Sequence, residues 1–208
     1  GQVIYADDVR TDVVGTAVKN QTTVTVGSTS GFSVGDEVLI IQMQGNNHGE
    51  YEFGKIASIG DSYLALEQPL QHEYNRPPGV IAYSEVNYQG QGEYFSGDDS
   101  CLADNTIGDN TVSSIRVSGY VVSVYPDCNY QGEGTGFSWD MDFDTSTRWN
   151  NTISSLRVSP AGPTSAQVLR VPQYEDVVVQ SGGYLTAHPW NGHTGGVLAV
   201  RATGNVIV

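Results

Sequence analysis

Two stretches of oxygen-bearing side chains are the part of this sequence best suited to chemistry. Residues 109–118 read DNTVSSIRVS and residues 150–159 read NNTISSLRVS, with seven of ten positions identical. Each stretch supplies Asp or Asn side-chain oxygens, serine hydroxyls and backbone carbonyls, which are the ligands that a hard cation such as Ca²⁺ takes. Neither stretch contains the thiol or imidazole ligands of softer metals. The pair therefore predicts two oxygen-only cation sites.

A second pair of matching segments precedes these stretches. Residues 83–90 read YSEVNYQG and residues 125–132 read YPDCNYQG. Both signatures occur twice and in the same order, so the chain contains an internal duplication of about 40 residues per copy. One copy is too small to bury a core of its own, and the two copies are expected to pack face to face as sheets.

Strands and tight turns must position the stretches. The segments VIAYSEV (80–86) and YVVSVYPD (120–127) are strand-like and lead into NYQG, where the glycine allows positive φ in a hairpin. In SSIRVS and SSLRVS, apolar and polar residues alternate as in a half-buried strand. The alternation predicts that each stretch begins in a loop and ends in a strand.

Composition favours an all-β protein and excludes several classes of function. Among 208 residues there are 25 Gly and 12 Tyr, and the only lysines are Lys19 and Lys55. The net charge of −14 disfavours binding to nucleic acid and favours cations. No apolar run is long enough to span a bilayer. A secretory signal is either absent or already removed. Because the chain is acidic and poor in lysine, we predict that it is extracellular or at the cell surface.

At this point the sequence resembles a known family. Two copies of Y-x-x-x-N-Y-Q-G, each followed by [DN]-N-x-x-S-S, are similar to the two Greek-key motifs of a βγ-crystallin domain of the microbial, calcium-binding type. The resemblance covers residues 79–161. It implies a two-motif Greek-key sandwich that binds two Ca²⁺ ions.

The resemblance also implies a ligand set. Side-chain oxygens would come from the first two positions of each stretch, backbone carbonyls from the third, hydroxyls from the fifth, and further carbonyls from the hairpins. In this order the residues are Asp109, Asn110, Asn150 and Asn151; Thr111 and Thr152; Ser113 and Ser154; and Ser84 and Pro126. Because Asn150 stands where an acid would add charge, micromolar or weaker affinity is expected.

Two alternatives remain open at these positions. The stretches could instead be Asx and Ser turns whose side chains bond to their own backbone. Cys101 and Cys128 lie in loops that should approach each other in the packed pair, so they are either a disulfide or two free thiols. A disulfide would indicate an oxidising compartment.

The flanking segments, 1–78 and 162–208, are predicted to form one discontinuous β-rich domain. Turn-rich linkers at 75–79 and 159–165 separate them from the duplicated unit. They resemble a β-rich module of large secreted bacterial proteins, into which the crystallin-like unit would be inserted. The last strands, including 196–200 and 205–208, recur at a spacing of roughly 20 residues, as in a β-solenoid. The apolar edge at 205–208 predicts self-association or pairing with a continuation of the parent chain.

No motif of an enzyme is present. The four histidines, His48, His72, His188 and His193, are scattered along the chain, and PWNG between the last two is interpreted as a surface turn. We therefore predict a non-enzymatic, calcium-stabilised structural module, such as a fibre subunit. One alternative is a lectin that binds glycans through Tyr88, Tyr130, Trp139 or Trp190. Another is an accessory domain of a larger secreted enzyme.

Overall fold

A computed structural model describes residues 2–45 and 47–208. Nineteen strands are present among these residues, and the remaining regular structure consists of 3₁₀ turns at Val86–Tyr88, Leu102–Asp104 and Cys128–Tyr130. The strands are β1 Val3–Tyr5, β2 Arg10–Asp12, β3 Thr23–Thr25, β4 Glu37–Gln44, β5 Tyr51–Ile59, β6 Tyr63–Leu66, β7 Gly79–Glu85, β8 Gln89–Phe95, β9 Ser114–Ser118, β10 Tyr120–Tyr125, β11 Thr135–Phe137, β12 Met141–Asp142, β13 Ser155–Pro160, β14 Ser165–Arg170, β15 Gln173–Tyr174, β16 Val177–Val178, β17 Tyr184–Thr186, β18 Arg201–Ala202 and β19 Val206–Ile207. The all-β prediction is confirmed.

The chain divides into two units by its internal contacts. The first comprises Gly1–Met43, His48–Arg76 and Ser165–Val208, and the second comprises Gln44–Asn47 and Pro77–Thr164. The second unit contains the predicted range, 79–161, and extends beyond it by two residues at the start and three at the end. Its flanking turns belong to it because Ala161 donates its N–H to the Gly119 carbonyl at 2.8 Å and Gly119 packs against Pro78. Gln44–Asn47 are grouped with the second unit because of contacts to residues distant in the sequence. Such contacts leave no local pattern in the sequence.

The second unit is a two-sheet sandwich. One sheet has the order β12-β9-β7-β8 and the other has the order β11-β10-β13. Strand β12 follows the second hairpin along the chain but pairs with β9, which belongs to the first copy. Reciprocally, Asp99 of the first copy forms a bridge with Leu156 of β13. This exchange between the two motifs is the arrangement of a paired Greek key.

The core of the second unit is filled by both copies. Ile115 and Val117 of β9, and Leu156 and Val158 of β13, are buried, whereas Arg157 between the last two is exposed. From Leu156 to Ser159 burial alternates as predicted, whereas in β9 the serines Ser114 and Ser118 are buried along with Ile115 and Val117. Trp149 is 8% exposed and packs in the same cluster. Because side chains from both copies share one core, neither copy has a core of its own.

The first unit is built on a six-stranded sheet of order β2-β14-β4-β5-β6-β3. Val38 and Ile40 of β4 lie in a core cluster on one face of this sheet, and Leu39 lies in a smaller cluster on the other. A strand that is apolar on both faces, as EVLIIQM is, is expected in the interior of a sheet.

Two expectations for the C-terminal region were wrong. Strand β15 pairs in parallel with β18 through Gln173 and Arg201, and β16 pairs with β19 through Val177 and Val206, so these partners lie 28 and 29 positions apart, not about 20. The third parallel pair joins β17 to β1 instead. The spacing depends on which strands pair with each other, and the positions of the strands along the chain do not give the pairing.

Residues 196–200 also differ from the prediction, because they are not a strand. Val197 and Ala199 pack on Leu39, Leu169 and Val171. Side-chain packing on the face of the sheet, and not backbone pairing at its edge, therefore holds this extended segment. No helix in residues 2–45 and 47–208 has the length and apolar character needed to cross a membrane.

Candidate metal centres

The two oxygen-rich stretches have the same backbone conformation and the same burial. Asn110 and Asn151, at the second position, have φ values of 54° and 55°. Asparagine tolerates this left-handed region better than most residues. The fourth and fifth positions are buried in both stretches, and the first and third are half-buried. The turn at each asparagine directs the chain into the core and leaves the asparagine exposed.

The turns place each asparagine beside the serine of the opposite stretch. Asn151 donates its N–H to the Val112 carbonyl at 2.9 Å, and Asn110 donates its N–H to the Ile153 carbonyl at 3.2 Å. These reciprocal bonds fix the two stretches side by side. Each candidate site is therefore composed of residues from both copies.

We call the first site the Ser113 cluster. Ser113, which is 4% exposed, donates its hydroxyl hydrogen to Asn151 Oδ1 at 3.0 Å. The predicted carbonyl donor of this site, Ser84, lies in the first hairpin, where its Oγ accepts the Gln91 N–H at 2.9 Å. Within the described part of the chain, Ser84 and Ser113 share no hydrogen bond. The Ser113 cluster thus has two hydrogen-bonded oxygens in place.

The second site is the Ser154 cluster. Ser154, 3% exposed, donates to the Pro126 carbonyl at 2.8 Å and approaches Asn110 Oδ1 at 3.4 Å. Three predicted ligand oxygens therefore converge here. Two oxygens that each lie about 2.4 Å from one Ca²⁺ ion, at an angle of about 75–90°, are about 2.9–3.4 Å apart. The distances in both clusters are close to this range.

The remaining predicted ligands divide into two groups. Thr111 donates its hydroxyl hydrogen to the Ile107 and Gly108 carbonyls, and Thr152 donates its own to the Arg148 carbonyl at 2.5 Å. These side chains close their own loops, as the turn alternative predicted for such residues. Their backbone carbonyls accept no hydrogen bond within residues 2–45 and 47–208. Of the oxygen atoms of these two threonines, only the backbone carbonyls are therefore available as ligands.

Asp109 and Asn150, at the first position of each stretch, carry an unusual oxygen. In both residues Oδ1 is buried and has no hydrogen-bond partner among the described residues. A buried acceptor left without a partner costs about 1–3 kcal/mol, so such atoms are rare. A cation or an ordered water would satisfy it. The occurrence of this feature at equivalent positions of both copies supports a ligand-binding interpretation.

The second serine of each SS pair has a role that the sequence did not reveal. Ser155, fully buried, donates to the Asp127 carbonyl at 2.7 Å and accepts the Tyr130 N–H at 3.1 Å. Ser114 makes the same two bonds, to the Glu85 carbonyl at 2.6 Å and from the Tyr88 N–H at 3.0 Å. These serines lock the hairpins against the strands that carry Ser113 and Ser154. Their duplication was visible in the sequence, but their partners were not.

Acidic side chains near the clusters are held by hydrogen bonds. Asp98 and Asp140, at equivalent positions, accept the backbone N–H groups of Val158 and Val117, each at 2.8 Å. Hydrogen bonds from the hydroxyl and the backbone of Ser146 hold the pKa of Asp144 below its ordinary value. Residues 77–164 contain eleven Asp and Glu against three Arg. The charge of this unit is strongly negative, as a cation site requires.

The structure joins Cys101 and Cys128 in a disulfide with Cα atoms 4.6 Å apart. Cys128 lies in the second hairpin, two residues after Pro126. The described residues contain no group of three or more His, Cys, Asp or Glu side chains arranged around a common metal position. A metal in this unit would therefore depend on the serine, asparagine and carbonyl oxygens of the two clusters.

Tyr88 and Tyr130, two of the aromatic residues of the lectin alternative, each have one ring face covered by an arginine. Arg116 and Arg157 stack over the rings of Tyr88 and Tyr130, with the guanidinium carbon 4.8 and 4.3 Å from the ring centres. These faces are covered. Trp139 is 57% exposed and donates its ring N–H to Met141.

Known proteins match part of this chain. A βγ-crystallin domain from Flavobacterium johnsoniae is 30% identical, and the match covers 40% of this chain and 96% of that one, with a TM-score of 0.37. A double mutant of a βγ-crystallin domain from Clostridium beijerinckii is 24% identical over 40% of this chain and 98% of that one, with a TM-score of 0.37. A clostrillin double mutant in complex with nickel is 23% identical over 40% of this chain and 99% of that one, with a TM-score of 0.36. No family model and no curated protein matches the sequence.

The duplicated signatures, the exchanged strands and the 30% identity over almost all of the Flavobacterium domain agree. Residues 77–164 form a βγ-crystallin domain. The predicted family is thereby confirmed for this part of the chain. The βγ-crystallin domain contains both oxygen clusters and the disulfide.

Proposed function

We propose that the βγ-crystallin domain binds two Ca²⁺ ions, one in the Ser113 cluster and one in the Ser154 cluster, and serves as a calcium-stabilised structural module without catalytic activity. The observation that carries this proposal is the crossed arrangement of the clusters. Each combines a buried serine hydroxyl of one stretch with an asparagine oxygen of the other.

This arrangement argues against the alternative of independent local turns. The hydrogen bonds of Ser113 and Ser154 reach residues 38 and 44 positions away, whereas Asx and Ser turns bond to neighbouring backbone. Without a cation, each hydroxyl hydrogen satisfies one acceptor. A bound ion would take the same acceptors and the hydroxyl oxygen as ligands, while the hydroxyl hydrogen turns away from the ion.

Calcium would then stabilise the fold by linkage. An ion that binds only the folded state adds RT ln(1 + [L]/Kd) per independent site, which is about 2.7 kcal/mol at a calcium concentration 100 times Kd. For a domain of this size, that corresponds to a rise of about 10 °C or more in Tm per site. The ion would hold together loops from both copies, so its loss would loosen the pairing of the copies.

An extracellular or cell-surface location fits the same features. The Cys101–Cys128 disulfide is stable in an oxidising compartment, and extracellular fluids contain calcium at concentrations that fill micromolar sites. The predicted fibre role, glycan binding, and pairing through the apolar edge at 205–208 stay predictions.

Thermal denaturation of the full chain tests the proposal. We expect Ca²⁺ to raise the Tm of the βγ-crystallin domain and Mg²⁺ at the same concentration to raise it less, because these clusters lack the rigid octahedral geometry that Mg²⁺ prefers. The combined variant Ser113→Ala and Ser154→Ala should lose the calcium-dependent increment. Ser123→Ala, a half-buried serine of β10 outside both clusters, should keep it. An equal calcium response in all three proteins would refute the proposal.

A further inference from the structure

The two hairpins of the βγ-crystallin domain are attached to the rest of the domain in different ways. At the position where the second hairpin has Cys128, the first hairpin has Val86, which is 38% exposed. Only the second hairpin is therefore cross-linked. The hairpins matter because each is expected to present a carbonyl ligand to one cluster.

The cross-link connects the second hairpin to a loop that also contacts Ser154. Cys101 of this loop is bonded to Cys128, and the adjacent Ser100 carbonyl accepts the Asn129 N–H at 2.6 Å. On the other side of Cys101, Leu102 donates its N–H to the Ser154 carbonyl at 2.8 Å. Three consecutive residues thus fix the hairpin and the serine relative to each other.

The first hairpin has a weaker attachment at the equivalent place. Asn87 donates its N–H to a carboxylate oxygen of Asp142 at 3.0 Å, and Asn87 is exposed. A single hydrogen bond at the surface exchanges readily with water, whereas a disulfide does not. Both hairpins have the same two bonds to a buried serine, so the disulfide is an additional restraint on the second hairpin, and the first is freer to move away from its cluster.

The two clusters differ in the same way as the attachments of their hairpins. In the Ser154 cluster the Pro126 carbonyl lies 2.8 Å from the serine hydroxyl. In the Ser113 cluster the described residues include no equivalent bond from Ser113 to the Ser84 carbonyl. Among the described residues, only the cross-linked hairpin has its carbonyl hydrogen-bonded to the serine of its cluster.

We propose that the Cys101–Cys128 disulfide positions the Pro126 carbonyl and thereby makes the Ser154 cluster the tighter of two unequal cation sites. This inference rests on the proposed function. A ligand that is already in place requires less ordering when the ion binds, and reduced ordering raises affinity without any new contact. The cysteines are positioning residues, because neither sulfur is a ligand.

Charge is the competing cause of unequal sites. Asp109 opens the first stretch and Asn150 opens the second, so the two copies differ by one carboxylate. Asp109→Asn makes the first positions identical and leaves the disulfide intact. If the disulfide sets the difference, the two sites stay unequal in this variant.

Calorimetric titration of the full oxidised chain with CaCl₂ tests the inference. We expect two binding steps, of which Ser113→Ala retains the tighter and Ser154→Ala retains the weaker. In Cys101→Ser combined with Cys128→Ser, the tighter step should weaken by at least about tenfold while the weaker step changes little. Wild type reduced with dithiothreitol, which converts the disulfide to two thiols, should behave in the same way. Reoxidation should restore the tighter step.

The outcomes separate this inference from the proposed function. Two calcium steps that are unaffected by loss of the disulfide, or weakened equally, would overturn the inference and leave the proposed function standing. If Ser154→Ala retained the tighter step, the inference would also fail. Should the cysteine variants not fold, Asp109→Asn in the oxidised chain still decides it, because two sites that become equal in this variant would assign the difference to charge and overturn the inference. Absence of any calcium binding to wild type would overturn both proposals.

Discussion

The two halves of the βγ-crystallin domain, residues 77–118 and 119–164, are nearly the same in their interior and differ at the surface. Both have a hairpin locked by a buried serine, an asparagine with positive φ and a strand exchanged with the other half. Their hairpins differ at three positions, Ser84/Pro126, Glu85/Asp127 and Val86/Cys128, and only the last of these differences adds a cross-link. In a duplicated fold, the residues on which packing depends are the same in both copies. Residues that affect only one cation site can differ between the copies.

The largest expected effect tests whether the halves form one folding unit. Ile115 and Leu156 are fully buried in the same core, one in each half. Ile115→Ala and Leu156→Ala should each lower the free energy of unfolding of the domain by about 2–5 kcal/mol. Urea denaturation, followed by tryptophan fluorescence and by circular dichroism, should show the same single transition of this domain in both variants. Separate transitions for the two halves would show that they fold independently.

The hairpin-locking serines should be equally important in both halves. Ser114→Ala or Ser155→Ala removes the two hydrogen bonds that join the buried serine to the hairpin backbone, and we expect a loss of about 1–3 kcal/mol for each variant. Denaturant midpoints measured without calcium provide the comparison. A much smaller loss in one half would show that its hairpin is held by other contacts.

The crossing of the clusters can be tested by double-mutant cycles on calcium affinity. Asn110 and Ser154 belong to one cluster, so Asn110→Ala and Ser154→Ala should be strongly non-additive, since either removes a ligand of the same ion. Asn151→Ala and Ser154→Ala affect different ions and should add within about 0.5 kcal/mol. Additivity in the first pair and coupling in the second would mean that each stretch forms its own site.

The smallest effect concerns the arginines stacked on the hairpin tyrosines. Arg157 lies over Tyr130 in the second half, as Arg116 lies over Tyr88 in the first. Arg157→Gln should destabilise the domain by about 0.5–1 kcal/mol, the usual worth of an exposed cation–π contact. Thermal denaturation should show the loss, and a comparison with Arg157→Lys distinguishes charge from the planar stacking of guanidinium. No change in Tm would mean that the stacking of Arg157 on Tyr130 does not stabilise the domain.

The sequence was informative where the physics is local or repeated. The identical signatures at 83–90 and 125–132 predicted the hairpins, and the alternation in 114–118 and 155–159 predicted the strands. These features depend on short spacings and on residue types that favour turns and strands.

Features that depend on contacts distant in the chain were not predictable. The bonds of Ser114 and Ser155 to the hairpins, and the carboxylate bonds of Asp98 and Asp140 to the exchanged strands, involve partners far away in sequence. Residues 196–200 have the composition of a strand, yet packing on a sheet face holds them. Tertiary packing overrides local propensity at such positions.

The most direct test of the central claim is a crystal structure of the full chain grown with Ca²⁺, with anomalous diffraction used to locate the ions. Our account predicts two calcium ions in the βγ-crystallin domain. One should lie about 2.3–2.6 Å from the hydroxyl oxygen of Ser113, and the other at the same distance from that of Ser154. Calcium-saturated crystals without an ion at either hydroxyl, or with ions bound only elsewhere, would contradict it.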